Sequence, residues 1–155
     1  MPDPVMTTEQ QQAYNKAFKK IDACRRNGGI ALDLSELGLT RLPPEIGQLT
    51  ALTQLRLYNN QLSSLPPELG QLTALTQLVL ISNQLSSLPP EIGQLTALTW
   101  LYLGNNQLSS LPDWLNPSLS LFRRLRPLAL GKPAWILGRV EKVKCCAIII
   151  CNRWL

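Results

Sequence analysis

Histidine is absent from this chain of 155 residues. That removes His-based general acid–base chemistry, Ser-His-Asp and Cys-His pairs, and most zinc sites. Cysteine is scarce and irregular: Cys24, Cys145, Cys146 and Cys151. The last three crowd together without the spacing of a disulfide framework or of a redox C-x-x-C pair. A zinc site built only of thiolates would have to recruit the remote Cys24. No run of about 18 apolar residues occurs, so no membrane-spanning helix is expected. No G-x-x-x-x-G-K-[ST] phosphate loop is present. The opening "MPDPVMTTEQQQAYNKAFKK" lacks an apolar core and does not read as a secretory signal, so a cytoplasmic protein is the expectation. No paired-carboxylate constellation stands out either. These absences lead to an expectation of no enzyme activity, no cofactor, no metal and no small-molecule substrate.

The net charge of +5 conceals two regions of different character. Residues 1–116 hold seven Lys/Arg and nine Asp/Glu, whereas residues 117–155 hold eight Lys/Arg against Glu141 alone. The first region is near neutral and the second strongly basic, and each is read separately.

What the chain has in abundance is one phrase, repeated. Leu42–Ser64, Leu65–Ser87 and Leu88–Ser110 are each 23 residues long and almost identical. Their central segments read "LTQLRLYNNQL", "LTQLVLISNQL" and "LTWLYLGNNQL". In "LRL" (Leu55–Leu57) leucines alternate with a polar residue, so both point to one side of a short strand. Stacking such units predicts a parallel sheet. Asn60, Asn83 and Asn106 stand where the chain leaves each strand, and an inward amide there can satisfy backbone groups of its own and the neighbouring turn. "LPPEIGQLTAL" then returns the chain along the outer side. Pro44 suits the first turn of a short helix, and Glu45, Glu68 and Glu91 read as charges at helix starts. Leu42, Ile46, Leu49 and Leu52 fill the space between.

Upstream, "LDLSELGLTRL" (Leu32–Leu42) is a degenerate unit with Leu37 at the Asn position. Before it, Ala13, Tyr14, Ala17, Phe18, Ile21 and Cys24 share one face of a predicted amphipathic helix. Thr7 or Thr8 caps its start, and Gly28 and Gly29 end it. Such a helix reads as a lid over the first coil, because the ends of a solenoid need covering.

Only a few words of the phrase change. The first two units differ at four positions: Ile46/Leu69, Arg56/Val79, Tyr58/Ile81 and Asn59/Ser82. The third adds Trp100 for Gln77, Tyr102 for Val79 and Gly104 for Ile81. Apart from the core swap, these positions alternate with the core leucines and point to the concave surface. The predicted partner-binding residues are therefore Gln54, Arg56, Tyr58 and Asn59, then Gln77, Val79, Ile81 and Ser82, then Trp100, Tyr102, Gly104 and Asn105. The degenerate unit contributes Asp33, Ser35 and Glu36. Neutral drift at solvent sites would favour small polar residues, and it gives no reason for Trp100, Tyr102 and Ile81 to face water. Such residues are interface chemistry. Four strands at about 4.8 Å make a face about 15 Å wide, less than a standard interface needs, so binding through it alone is expected to be weak.

A 23-residue period carrying L-x-x-L-x-L-x-x-N-x-L three times over resembles the leucine-rich-repeat proteins. The "LPPEIGQLTALTQLxLxxNQLSS" form is similar to the repeats of bacterial Roco-type GTPases, common in cyanobacteria, and of the plant Ras-group repeat proteins. "ALDLSELGLTRLPPEI" (Ala31–Ile46) resembles their leading degenerate unit. The resemblance implies an α/β solenoid: a short horseshoe with a parallel concave sheet, a helical or irregular convex side and an N-terminal capping helix. It also implies a protein partner, with a small GTPase or signalling protein as candidates. The alternative is a truncated or vestigial fragment of a longer regulatory GTPase.

The expected organisation is a disordered N-terminus (1–6), a capping helix (7–29), repeats (30–112: a partial unit 30–41, then 42–64, 65–87 and 88–110) and a basic C-terminal end (113–155). That end starts like a further unit and loses the frame at Asn116. A cap over the last coil is its first reading, ahead of a truncated or frame-shifted end, and ahead of a membrane-surface or nucleic-acid contact. "VKCCAIIIC" reads as a buried edge strand.

Overall fold

The structure is a computed structural model that describes residues 6–109. The expectations for the basic end 113–155, including its cap and its "VKCCAIIIC" strand, lie outside the described residues, as do residues 1–5.

Thr7 starts the first element. Its hydroxyl accepts from the Gln10 N–H while the Gln10 side chain accepts from the Thr7 N–H, a capping box that begins α1 at Thr8–Arg26. Asn27 caps the C-terminus, and Gly28 follows at φ +61°, the left-handed conformation that glycine adopts without steric cost. Arg25 and Arg26 both pair with Asp22, on the exposed side of the last turns. α1 is the longest helix described, and among the described residues no helix is long and apolar enough to cross a membrane.

Four short strands follow: β1 (Ala31–Asp33), β2 (Gln54–Arg56), β3 (Gln77–Val79) and β4 (Trp100–Tyr102). They form one parallel sheet in chain order. Leu32, Leu55, Leu78 and Leu101 are in register and buried, as the 23-residue period requires. Each coil returns through a one-turn 3-10 helix (Pro44–Gln48, Pro67–Gln71, Pro90–Gln94), which starts at a proline whose missing N–H would have had no partner there.

The core is a continuous leucine column between sheet and outer arm, with Ile46, Leu69 and Ile92 contributed by the 3-10 turns. α1 closes it at the N-terminal end with Ala17 and Ile21 buried and Ala13 and Cys24 packed beside them. Phe18 corrects the helix-face expectation: it is 41% exposed. It stands about 100° round the helix from Ala17, and the single coil beneath α1 is too narrow to cover it.

Leu37 is half-buried and packs on the core. An Asn in that place would find no coil behind it. α1 lies there instead, with its carbonyls already bonded within the helix.

Candidate functional site

Three rows of side chains cross the concave face, set by strand register. The first is Ala31, Gln54, Gln77 and Trp100, and the second is Asp33, Arg56, Val79 and Tyr102. Ser35, Tyr58, Ile81 and Gly104 continue as a third row just past the strands. Arg56, Asp33 and Trp100 are exposed, whereas Gln54, Tyr58, Gln77, Val79, Ile81, Tyr102, Ser35 and Gly104 are half-buried. The large apolar members are half-buried except Trp100, which is 39% exposed. Its ring lies nearly parallel to that of Tyr102, with centroids 6.5 Å apart and planes 8° from parallel. That is a stacked pair.

A fourth row needs a different explanation. Glu36, Asn59, Ser82 and Asn105 all have φ between 52° and 59°. Left-handed backbone favours Asn among non-glycine residues, so Asn59 and Asn105 answer a conformational demand as well as facing solvent. They also bond along the row: Asn59 Nδ2 donates to Glu36 Oε1 at 3.5 Å, and Asn105 Nδ2 donates to Ser82 Oγ at 3.0 Å.

Beneath the face lie the inward amides. Asn60 Nδ2 donates to the carbonyls of Leu34 and Leu57, and its Oδ1 accepts from Leu37 and Leu39 N–H. Asn83 repeats this with Leu57, Leu80 and Leu62, and Asn106 with Leu80, Leu103 and Leu85. Each amide joins its own coil to the one before. A second ladder had no counterpart in the sequence reading: Thr53 Oγ1 donates to the Ile30 carbonyl and Thr76 Oγ1 to that of Thr53, both at 2.9 Å. The Thr that precedes β2, β3 and β4 was its only signal. Thr99 leaves the ladder and donates to Ala97 instead.

The face is electrostatically uneven. Burial pushes the Asp33 carboxyl up, but the Ser35 N–H at 2.9 Å and the charges of Arg56 and Lys20 outweigh it and hold it below the ordinary carboxylate range. Between Ala31, Leu32, Asp33, Gln54 and Arg56 lies an open depression of about 140 Å³, smaller than the roughly 300 Å³ at which ligand pockets begin. Burial pushes the Cys24 thiol up, and its Sγ donates to the Gly29 carbonyl at 3.4 Å, both of which disfavour the thiolate. Among the described residues no group of three His, Cys, Asp or Glu could hold a metal ion.

Comparison with known proteins accounts for the coil. Residues 50–91 match two copies of the leucine-rich-repeat family model, and residues 97–118 match one further leucine-rich repeat. The solenoid is built of leucine-rich repeats. The leucine-rich-repeat protein SHOC-2 of Danio rerio is 40% identical over 61 residues, which are 39% of this chain and 11% of that protein. The soc-2 homolog of Nematostella vectensis is 44% identical over 45 residues, 29% of this chain and 8% of that one. This chain therefore spans only a small part of the curated relatives it matches. Among solved structures, the leucine-rich-repeat domain of a Shigella effector is similar with a TM-score of 0.57 at 32% identity, over 70% of this chain and 44% of that one. A Leptospira interrogans leucine-rich-repeat protein has a TM-score of 0.50 at 39% identity, over 59% of this chain and 24% of its own.

Proposed function

We propose that this leucine-rich-repeat protein is a non-enzymatic interaction module that holds a partner protein on the concave face of its sheet. One observation carries the reading: apart from a core Ile/Leu exchange, the residues that change between repeats fall on that face and the left-handed turn at its edge. There they place an exposed cation, Arg56, and a stacked aromatic pair whose Trp100 is exposed. Arg56, Tyr58, Trp100 and Tyr102 are the anchors, with Val79 and Ile81 as the apolar middle. Enrichment of Trp, Tyr and Arg is the composition of binding hot spots. The face is small, so its contacts alone give weak association, and a partner that also grips a loop edge binds more tightly. The partner class proposed is a small GTPase or another signalling protein.

The test uses two baits in lysate of the source cell: the full chain, and the full chain with R56A, Y58A, W100A and Y102A. Unchanged far-UV circular dichroism and thermal midpoint establish that the second is folded. A protein held by the first bait and lost by the second, and reproducing that difference when purified, supports the concave site. Equal capture by both baits moves the site elsewhere on the chain.

A further inference from the structure

The side chains of the concave face are sorted by strand, and we infer from that sorting what its ligand must offer. The ligand is a protein segment bearing a carboxylate side chain and, three residues away, an aromatic or large aliphatic side chain. This rests on the concave face being the binding site.

The charged end lies on β1 and β2. Arg56 is exposed, and among the described residues no carboxylate pairs with its guanidinium within 4.0 Å. Its neighbour in register, Asp33, is already engaged: one carboxylate oxygen accepts from the Ser35 N–H. Glu36 accepts from Asn59. The acids of the face thus have donors from their own chain, while the guanidinium fork of Arg56 has no acceptor. A planar fork of this kind binds a carboxylate through two parallel hydrogen bonds. The depression beside Arg56 admits a small group of that kind.

The apolar end lies on β3 and β4. The stacked Trp100 and Tyr102 rings form a ledge flanked by Val79 and Ile81. A large apolar side chain laid on this ledge removes the exposed Trp100 surface from water, which is the largest apolar gain the face offers. From β2 to β4 is two inter-strand steps, about 10 Å, and a segment in polyproline-II conformation covers that in three residues at about 3.1 Å each, with three residues per turn bringing both side chains to the same side. Gln54 and Gln77 lie beside this path, and their amides can both donate to and accept from a ligand backbone.

The experiment is selection from a random dodecapeptide library displayed on phage, against three immobilised full-length chains: wild type, R56E, and W100A/Y102A. Both variants alter surface positions and are checked by thermal melting before use. Wild type is expected to enrich Asp or Glu three residues from Trp, Phe, Leu or Ile. R56E is expected to replace the acid with Lys or Arg, and W100A/Y102A to lose the apolar preference. Replacing the acid by Gln in the best synthetic peptide should weaken its binding to wild type about tenfold. An enrichment without acid, or one that R56E leaves unchanged, overturns the inference. If W100A/Y102A still alters that selection, the proposed concave site survives. The same peptides from all three chains, or none from wild type, count against both.

Discussion

On the convex side, two positions have no room for any side chain. A Cβ on Gly47 would come within 2.7 Å of the Glu68 carbonyl oxygen, and one on Gly70 within 2.6 Å of that of Glu91. On the concave side of the same coils, Arg56 is followed in register by Val79 and then by Tyr102, with no change in the sheet around them. Gly47 and Gly70 touch the next coil at every repetition, so they repeat. The second row of the sheet meets solvent, so it varies. Apart from the Ile46/Leu69 exchange, the phrase is constant where coil touches coil, and the variation it does show falls on the concave face and its edge.

The largest test of this contrast removes an inward amide. Asn83→Ala strands the Leu62 N–H in the core and removes one of the two amide donors from each of the Leu57 and Leu80 carbonyls, which keep Asn60 and Asn106. One buried N–H without a partner and two weakened carbonyls make the expected loss about 3 kcal/mol, read as a lower urea midpoint. A change near zero would mean that water replaces the amide. Gly70→Ala comes next, at about 2 kcal/mol, because backbone rather than a flexible side chain stands in the way. Val79→Thr on the opposite side of the sheet should stay within about 0.5 kcal/mol. Equal costs for these two would erase the distinction between the sides.

The threonine ladder sharpens the comparison along the solenoid. Thr76→Val loses the bond to the Thr53 carbonyl, whereas Thr99→Val loses only a local bond to Ala97. The first should cost about 1 kcal/mol and the second close to nothing; thermal denaturation of the pair decides it. The smallest effect is electrostatic. The folded-state pKa of Asp33 is depressed, so its charge contributes stability above the unfolded value near 3.9 and loses it as pH falls through the folded value. Asp33→Asn should cost about 0.5 kcal/mol or less at pH 7, and the gap should close at pH 2–3. A gap that widens on acidification would reverse the sign assigned here.

Much of this was legible in the letters. A 23-residue period cannot bury its leucines except by stacking, which puts Leu32, Leu55, Leu78 and Leu101 in one column. The alternation of leucine with variable residues placed Arg56 and Trp100 on the opposite surface from that column. Less legible was how the surface residues treat one another. Nothing in the phrase states that Trp100 and Tyr102 stack, or that Tyr58, Val79 and Ile81 are half covered. Nor does the phrase say that Asn59, Ser82 and Asn105 hold left-handed backbone. Phe18 shows the same limit in α1, because helical periodicity gives the direction of a side chain but not how far the coil beneath it extends.

The sequence by itself determined the repeat, the strand register, the core column and the face on which variation accumulates, since period and alternation are properties of the chain order alone. Only the tertiary structure decided which carbonyls the amides and hydroxyls reach, which acids already have donors, and that Arg56 has no carboxylate partner among the described residues. Those facts depend on distances between residues one full coil apart, and such distances exist only after the coils have stacked.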